Sequence, residues 1–454
     1  MNFPATIFAG RRYAVVGLGR NGLPAARALV AMGANVTVWD DKPEARAAAT
    51  GLVVAEPVMT GLEALVLSPG IPHRLPRPHP IAAAARAAGV PILSDAELLY
   101  RAVQAAGSQA RFAGITGTNG KSTTTALLAH ILERAGIPVA AGGNLGTASL
   151  ALPLLPHGGV YVLEMSSYML ERLATLRFSA ASMLNLSADH LDRHGDMAGY
   201  ALAKRAIFDR QTADDLAVIG IDDAPSRAMA DWLRTRPARV VTVSERGPAD
   251  LAPRGTLLAD AAGTIVDLAE APTLPGAHNA QNAAAAAAMA LALGAARAAI
   301  ADGIRSYPGL PHRQELVAKS GAIRFVNDSK ATNADSTARA LVCYDRIIWI
   351  AGGQAKEGGI EPLVEFFPRI ALALLIGRDS PHLAATLRAH GVAHREVGTL
   401  EEAVAQGWQA ARDGTGEVVL LSPACASWDQ FTGFDQRGTR FADLARAATG
   451  ATAP

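Results

Sequence analysis

The feature that most restricts the fold is a glycine-rich turn that joins a strand to a helix and occurs twice in the chain. One copy stands at residues 17–22 (GLGRNG) and the other at residues 114–122 (GITGTNGKS). Such turns lead from a strand into the crossover helix of a parallel sheet, and several backbone N–H groups then face one point at the helix N-terminus. The chain is therefore predicted to be an α/β protein with two anion-binding turns.

The alternation of short apolar strands and helices continues over all 454 residues. A linker near 106–109 and a segment rich in proline and glycine at 306–313 divide it. We predict three consecutive domains: an N-terminal Rossmann-like domain at 1–105, a central P-loop ATPase-like domain with a parallel sheet at 106–308, and a C-terminal Rossmann-like domain at 309–454. The predicted strands are 13–16, 35–39, 65–67, 111–116, 160–164, 181–186, 216–221, 240–243, 323–327, 346–351, 372–376 and 417–421.

Charge and cysteine content exclude several classes of function. Lys and Arg number 42 against 41 Asp and Glu, so no overall field attracts nucleic acid or an anionic membrane. Two distant cysteines favour a reducing cytosol over a disulfide scaffold or a zinc site. The alanine-rich run 283–296 is too short to span a bilayer and predicts a buried helix. We expect a cytoplasmic monomer without a signal peptide or membrane insertion.

The turn at 114–122 predicts an ATP site. Lys121 can reach the β- and γ-phosphates, and the Ser122 hydroxyl can ligate Mg²⁺. The spacing departs from the general phosphate-loop pattern, because Ile115 stands where the first glycine is expected. The competing interpretation is a glycine-rich turn with an incidental lysine, but Gly-Lys-Ser at a strand–helix junction favours ATP.

The turn at 17–22 has two interpretations. With Asp40 placed 23 residues after Gly17, it has the form of a dinucleotide-binding fingerprint, which favours NAD. The physical content of that pattern is only a diphosphate on a helix N-terminus, and a UDP-sugar carries a diphosphate too. The turn by itself leaves both ligands open.

Several blocks of the sequence are similar to those of one family of ligases. GTNGKS at 117–122, GAHNAQN at 276–282, PGLPHR at 308–313 and SPACASWDQFTGFDQRG at 422–438 resemble the muramyl ligases. The last block is closest to members that add glutamate to UDP-N-acetylmuramoyl-L-alanine. The resemblance implies that ATP phosphorylates a carboxylate and that an amine attacks the acyl phosphate. A tetrahedral intermediate then collapses to an amide, with ADP and phosphate released, in peptidoglycan synthesis and hence cell-wall biogenesis, cell shape and cell division.

The resemblance also implies the cofactors and the site residues. The cofactors are ATP and two Mg²⁺ ions, and the substrates are UDP-N-acetylmuramoyl-L-alanine and D-glutamate. The catalytic residues are Lys121, Glu164, His190 and Lys204. The metal ligands are Ser122, Glu164 and His190, and Lys204 is carbamylated. The ATP-binding residues are Gly117, Thr118, Asn119, Gly120, Lys121, Ser122, Thr123, Asn279, Asn282, His312, Arg313 and Asp328. The UDP-substrate residues are Gly17, Leu18, Gly19, Arg20, Asn21, Asp40, Asp41, Lys42, Ser68, Pro69, Gly70 and Asn144. The glutamate-binding residues are Lys330, Thr332, Lys356, Ser427 and Phe434.

For some of these residues, sequence position and chemistry either support the implied role or suggest an alternative one. Glu164 ends a strand of the sheet that carries the phosphate loop, which places a carboxylate beside a phosphate-bound metal. Asn279 and Asn282 have helix capping as an alternative role. Carbamylation of Lys204 requires a neutral amine and hence a lowered pKa.

Three alternative functions remain open at the level of sequence. An NAD-dependent oxidoreductase leaves GTNGKS unexplained. A folylpolyglutamate-type ligase shares that loop but lacks an N-terminal Rossmann domain. A non-catalytic nucleotide-binding module needs no combination of Glu164, His190 and Lys204. The stereochemistry of the glutamate, D or L, also stays open.

Overall fold

The structure is a computed structural model that describes residues 1–356 and 358–450. The chain forms two compact units. The first contains Met1–Ala271 and Asn279–Tyr307, and the second contains Pro272–His278 and the described residues from Pro308 onward. Their large sheets are parallel or mostly parallel and alternate with helices, so the predicted α/β fold class is confirmed. The bounds of the three predicted domains stay predictions.

The first sheet of the first unit is parallel, with the strand order β3-β2-β1-β4-β5. Its strands are β1 Arg12–Val16, β2 Asn35–Trp39, β3 Val53–Val54, β4 Ala64–Leu67 and β5 Ile92–Leu93. Its helices are α1 Gly22–Ala31, α2 Pro43–Ala47, α3 Pro80–Ala87 and α4 Asp95–Ala105. The strands before β4 are added on one side of β1, and β4 and β5 are added on its other side. The strand order therefore reverses between the neighbouring strands β1 and β4. Ligands of open parallel sheets bind beyond the carboxyl ends of such strands, where the glycine turn after β1 lies.

The central sheet is also parallel, with the order β11-β10-β9-β6-β8-β7. Its strands are β6 Arg111–Thr116, β7 Val139–Gly143, β8 Val160–Glu164, β9 Ala180–Met183, β10 Leu216–Gly220 and β11 Arg239–Val243. Its helices are α5 Lys121–Arg134, α6 Ser167–Leu170, α7 Leu191–His194, α8 Met197–Arg205, α9 Ala224–Leu233, α10 Ala277–Ala292 and α11 Arg297–Arg305, with a 3₁₀ turn at Ser149–Ala151. Strands β8 and β9 flank β6, so the loops that follow them border the phosphate loop.

Two features of the first unit bear on the predictions. The alanine run lies in α10, where Ala283–Ala288 are buried, so the predicted buried helix is confirmed, although it ends at Ala292. A small antiparallel sheet, which the sequence did not reveal, consists of β12 Ala252–Arg254, β13 Leu257–Asp260 and β14 Gly263–Asp267, followed by a 3₁₀ turn at Leu268–Glu270.

Helix α4 connects the first sheet to the central sheet. The carboxylate of Asp95 accepts from the backbone N–H of Ser149 at 2.7 Å. Glu97 is fully buried and accepts from the backbone N–H groups of residues 174–176 and from the Thr175 hydroxyl. These contacts lower the pKa of Glu97 despite its burial. The two sheets therefore share one core, in which Phe112 stacks on Tyr161 at 4.8 Å.

The sheet of the second unit has the order β15-β16-β20-β17-β18-β19. Its strands are β15 Glu315–Ser320, β16 Ile323–Asn327, β17 Ile347–Gly352, β18 Ile370–Ile376, β19 His394–Gly398 and β20 Val418–Leu421. Only β15 at its edge is antiparallel to its neighbour. Its helices are α12 Ala334–Leu341, α13 Ser380–Ala389, α14 Leu400–Arg412 and α15 Phe434–Thr449, with a 3₁₀ segment at Glu361–Arg369. In the described ranges of the whole chain, no helix is both long and apolar enough to cross a bilayer.

Candidate active site

The phosphate loop connects β6 to α5 and depends on its glycines. Gly117 and Gly120 have φ angles of 144° and 84°, which side-chain-bearing residues rarely adopt. A Cβ atom on Gly120 would lie 2.3 Å from Oδ1 of Asn282. The Lys121 ammonium donates to the carbonyl oxygens of Gly117 and Thr118 at 2.9 and 2.7 Å. The lysine thus lies along the loop, and Ser122 and Thr123 begin the helix from buried positions.

Neighbouring residues fix the shape of this loop. The backbone N–H groups of Thr118 and Asn119 donate to the carbonyl and side-chain oxygens of Asn185. On the other side, Asn282 accepts from the Thr124 hydroxyl at 3.2 Å and donates to Asn279 at 3.0 Å. Both asparagines are buried within α10 beside the loop. Their contacts go beyond capping their own helix.

Glu164 provides a buried carboxylate at the end of β8. It is 2% exposed, and its Oε1 accepts from Nδ2 of Asn144 at 2.6 Å. Its Oε2 is buried and accepts no hydrogen bond within the described part of the chain. A buried carboxylate oxygen without a partner is costly, and a cation would stabilise it. No described group of three His, Cys, Asp or Glu side chains forms a metal cage. Mg²⁺ needs only one or two carboxylates beside phosphate and water, so the site fits it.

Lys204 lies under the phosphate loop, although it belongs to helix α8. It is 1% exposed, and its Nζ donates to the Gly117 carbonyl at 2.7 Å and lies 4.6 Å from the centre of the Tyr200 ring. Burial holds the pKa of Lys204 well below its usual value, and the charge of Lys121 lowers it further, whereas Asp189 and Glu164 raise it. Lys121, Glu164 and Lys204 therefore lie within electrostatic range of one another.

His190 stands in the left-handed region, with a φ angle of 54°, just before α7. Its ring lies 5.2 Å from Tyr168 and 6.3 Å from Tyr200. Burial lowers its pKa, and Lys204 and Lys121 lower it as well, while Asp189 opposes them. The imidazole is thus held towards its neutral form, the form that binds metals, and it lies within electrostatic range of Lys121 and Lys204.

The first glycine turn is closed by side chains that the sequence singled out. The Asp40 carboxylate accepts from the backbone N–H groups of Leu18 at 2.7 Å and Lys42 at 3.0 Å. The Ser68 hydroxyl donates to the Gly17 carbonyl at 2.7 Å. A Cβ atom on Gly22 would lie 1.8 Å from that same oxygen, which explains the glycine there. Asp40 thus supports the turn from within.

The remaining predicted UDP-substrate residues surround this turn or join it to the central sheet. Gly19, Arg20, Asp41, Lys42 and Gly70 are exposed and Pro69 is partly exposed. Asp41 contacts His79 at 3.0 Å and accepts from the Trp39 indole at 3.3 Å. The Asn21 amide donates to the Gly143 carbonyl at 3.2 Å. Because Asn144 follows Gly143 and bonds Glu164, the first turn is connected through it to the candidate metal site.

The second unit contains the other predicted nucleotide residues. His312 has a φ angle of 62°, and its Nδ1 lies 3.0 Å from the Asn327 amide. Asp328 is buried and accepts from the Ser422 hydroxyl at 2.8 Å and from the Gln314 N–H at 3.2 Å. Burial raises the pKa of Asp328 to about 7, although the charge of Arg313 opposes this. His312, Arg313 and Asp328 are therefore neighbours at the end of β16.

The predicted glutamate residues lie on three loops at the carboxyl ends of the adjacent strands β16, β20 and β17. Lys330 Nζ lies 5.1 Å from the centre of the Phe434 ring. The backbone groups of Gln354 and Ala426 pair with each other, which joins the loop of the exposed Lys356 to the loop of the buried Ser427. Thr332 donates its N–H to the Lys330 carbonyl at 2.9 Å.

Sequence reasoning missed several organising residues. Arg437 is 1% exposed and donates to the Ser329 hydroxyl at 3.0 Å and the Cys425 carbonyl at 3.2 Å, which ties two of those loops to α15. Asn185 and Tyr200 support the phosphate loop and Lys204. The position of Arg437 inside a matched motif was the available signal for it, whereas Asn185 and Tyr200 gave none.

Comparisons with known proteins place this arrangement in a family. The Mur ligase middle domain matches residues 115–290, and the Mur ligase glutamate ligase domain matches residues 312–425. The chain belongs to the Mur ligase family. It is 51% identical to the UDP-N-acetylmuramoylalanine–D-glutamate ligase of Paramagnetospirillum magneticum, over 97% of each chain. It is 48% identical to the ligase of the same name from Rhodospirillum rubrum, over 97% of this chain and 95% of the relative.

Solved structures support the fold. The UDP-N-acetylmuramate-alanine ligase of Thermotoga maritima matches 96% of this chain and 99% of its own, with a TM-score of 0.60 at 17% identity. MurF from Acinetobacter baumannii matches 98% of this chain and 93% of its own, with a TM-score of 0.61 at 16% identity. At such identities the likeness concerns the fold alone.

Proposed function

We propose that this chain is an ATP-dependent ligase that joins D-glutamate to UDP-N-acetylmuramoyl-L-alanine in peptidoglycan synthesis. The observation that carries the proposal is the 51% identity over 97% of both chains to a ligase of that name. It is supported by a phosphate loop that lies beside a buried acid and a buried lysine. The D-isomer follows the names of the relatives, and the NAD-dependent oxidoreductase and folylpolyglutamate-type alternatives are set aside.

In the first step, a carboxylate oxygen of the UDP-linked substrate attacks the γ-phosphorus of ATP, and the bond to the β-phosphate oxygen breaks to give ADP and an acyl phosphate. We assign ATP binding to residues 117–123 with Asn279, Asn282, His312, Arg313 and Asp328. The Lys121 ammonium would leave the carbonyls of Gly117 and Thr118 and stabilise the charge on the transferred group. Ser122, Glu164 and His190 would hold Mg²⁺, which would screen the charges of the two anions.

Carbamylation of Lys204 is chemically consistent with its surroundings. The neutral amine attacks CO₂, an N–C bond forms as one C–O π bond opens, and one proton leaves to solvent, so a neutral amine becomes an anionic carbamate. Burial holds the pKa of Lys204 well below its usual value, which favours the neutral amine that this addition requires. The carbamate would also place a negative charge within electrostatic range of the Lys121 ammonium. We therefore propose that Lys204 is modified in the active enzyme.

In the second step, the glutamate amine attacks the carbonyl carbon of the acyl phosphate, and the tetrahedral intermediate expels phosphate to leave an amide. We assign the binding of the amino acid to Lys330, Thr332, Lys356, Ser427 and Phe434. Two carboxylates on the substrate require cations and hydroxyl groups, and this set provides both. The UDP moiety is assigned to Gly17, Leu18, Gly19, Arg20, Asn21, Asp40, Asp41, Lys42, Ser68, Pro69, Gly70 and Asn144.

We propose that the enzyme acts as a monomer. Within the described residues both cysteines are unpaired, and this supports work in the cytoplasm.

A phosphate-release assay with UDP-N-acetylmuramoyl-L-alanine tests the function. D-glutamate, L-glutamate and meso-diaminopimelate are offered separately with ATP and Mg²⁺. We expect release only with D-glutamate, together with a product whose mass equals the two substrates less one water. Release with diaminopimelate, or with no acceptor at all, would contradict the proposal.

A further inference from the structure

Two buried arginines that follow strands of the central sheet bind a turn of the first sheet. Arg172 lies just after α6, and Arg193 lies in α7. The turn follows β4 and continues to Leu75. Arg172 donates to the carbonyl oxygens of Leu67 at 2.6 Å, Ser68 at 3.0 Å and Ile71 at 2.5 Å. Arg193 donates to the carbonyls of Leu75 at 2.7 Å and Ile71 at 3.4 Å. We call these two side chains and their carbonyl acceptors the arginine bridge.

The arginine bridge is built as a fixed structure. Arg172 is 2% exposed and Arg193 is 7% exposed. One guanidinium can present several donors in a rigid plane, which lets Arg172 reach three carbonyls at once. The backbone carbonyl of Arg172 also accepts a hydrogen bond from the Ser94 N–H at 3.1 Å. Holding a turn by its carbonyls leaves other groups of that turn available to a ligand.

One acid sits among the charges of the bridge. The Glu171 carboxylate lies 4.0 Å from Arg193 and 3.1 Å from Nδ1 of His194, whose Nε2 contacts the Ser167 hydroxyl at 2.9 Å. Burial, followed by the charge of Arg172, lowers the pKa of His73 to about 4, so this neighbouring ring is neutral at pH 7. Two guanidinium groups thus face one carboxylate, and their remaining charge is directed at the carbonyls of the turn.

The second end of the bridge reaches the catalytic segment. Arg193 lies in α7, and its backbone N–H donates to the His190 carbonyl at 3.0 Å. The Arg193 guanidinium stacks on Tyr168 at 5.0 Å, and the same ring lies 5.2 Å from His190. A displacement of the turn after β4 would therefore move the residues that place His190.

We propose that Arg172 and Arg193 are positioning residues that fix the turn at 68–71 relative to the segment that carries His190. The inference rests on the proposed function, in which that turn binds the UDP-linked substrate and His190 serves the transferred phosphate. The reaction needs the substrate carboxylate and the γ-phosphate at bonding distance, and errors of about 1 Å in such placement are costly. The arginine bridge would set that distance without contacting either substrate, because it fixes one substrate-binding segment of the protein relative to the other.

The test compares Arg193→Lys with Arg210→Lys. The lysine keeps the charge at 193 but cannot span two carbonyls, and Arg210 is a matched control, because it donates to the carbonyls of Leu176 and Ala206 instead. We expect Arg193→Lys to raise the KM for UDP-N-acetylmuramoyl-L-alanine at least tenfold and to leave the KM values for ATP and glutamate within twofold. Arg210→Lys should leave all three within twofold. A merely structural role would lower the Tm and leave the three KM values unchanged or raise them equally, which would overturn the proposal.

A second measurement needs no variant. Amide hydrogen exchange is followed in the wild-type chain with and without the UDP-linked substrate. We expect slower exchange both at 67–76 and at 190–196, because the bridge connects them. Slowing at 67–76 alone would overturn the proposal even if Arg193→Lys failed to fold. Should the wild-type chain bind this substrate but release no phosphate from ATP, the proposed function would fail while the exchange result still tests the bridge.

Discussion

The two glycine-rich turns share a backbone design and differ in the charges around them. At 17–22, the Asp40 carboxylate occupies two backbone N–H groups, and the Ser68 hydroxyl bonds the Gly17 carbonyl. At 117–122, Lys121 lies along the loop, and the buried side chains of Glu164 and Lys204 stand beneath or beside it. The first turn is supported by one carboxylate and one hydroxyl, both of which form hydrogen bonds with backbone groups. The second is surrounded by charges that are costly to bury.

This difference in charge explains how the same kind of glycine-rich turn can bind a phosphate at one site and support phosphate transfer at the other. A helix N-terminus with free N–H groups binds a phosphate whatever the phosphate is attached to. Group transfer also needs charges that are held where the transition state develops its own charge. We therefore expect changes at the second turn to affect turnover and changes at the first turn to affect the affinity for one substrate.

The largest expected effect comes from Lys121→Ala. Loss of the cation beside the transferred phosphate should lower the rate of ADP formation by about 10³-fold or more. Calorimetry should show that the affinity for UDP-N-acetylmuramoyl-L-alanine changes less than about threefold, because the turn at 17–22 is not altered. Near-normal turnover would refute the assignment of the loop and remove the contrast between the turns.

Lys356→Ala should leave the function of both glycine turns unchanged and weaken the binding of the third substrate, glutamate. Loss of a charge-assisted hydrogen bond to a carboxylate is worth about 1.5–3 kcal/mol, so the KM for glutamate should rise roughly 10- to 100-fold. The KM for ATP should stay within about threefold. Lys319→Ala, an exposed lysine on β15, is the control. An equal rise for ATP and glutamate would show that Lys356 does not belong to a glutamate site.

Gly22→Ala should damage only the first turn. The new Cβ would lie 1.8 Å from the Gly17 carbonyl, which forces the turn to open. We expect the free energy of unfolding to fall by about 1–3 kcal/mol and the KM for the UDP-linked substrate to rise roughly tenfold. In Gly19→Ala no heavy atom lies within 4 Å of the new Cβ, so this matched variant should unfold like the wild type. If the KM for ATP rose instead, the two turns would not be separate sites.

The smallest expected effect is that of Asp40→Asn. The amide keeps one acceptor and turns an N–H group towards a backbone donor, either that of Leu18 or that of Lys42. Denaturant unfolding should show a loss of about 1 kcal/mol, and the KM for the UDP-linked substrate should rise only a few-fold. Asp214→Asn at an exposed position is the control. A large loss of affinity without a loss of stability would mean that Asp40 acts through its contact with the UDP moiety and not through its support of the turn.

Local signals in the sequence were sufficient for the α/β fold class and for several of its strands. The strands predicted at 35–39, 111–116 and 160–164 have the bounds of β2, β6 and β8. Runs of β-branched residues between glycine turns are local patterns, and they act within a few residues. The same reasoning failed for β7, Val139–Gly143, because its Ala-Ala-Gly-Gly stretch lacks such residues, and the neighbouring strand supplies its stability.

The sequence by itself determined which residues could bind phosphate, because a glycine turn, a lysine and a hydroxyl act within one short segment. Only the tertiary structure decided which residues from distant parts of the sequence lie beside these phosphate-binding segments. Asn144 bonds Glu164 across 20 residues, Lys204 reaches the Gly117 carbonyl across 87, and Arg172 holds Ile71 across 101. Such contacts depend on the packing of helices against sheets. Burial, which shifts the pKa of Lys204, is a property of the whole fold and has no local pattern.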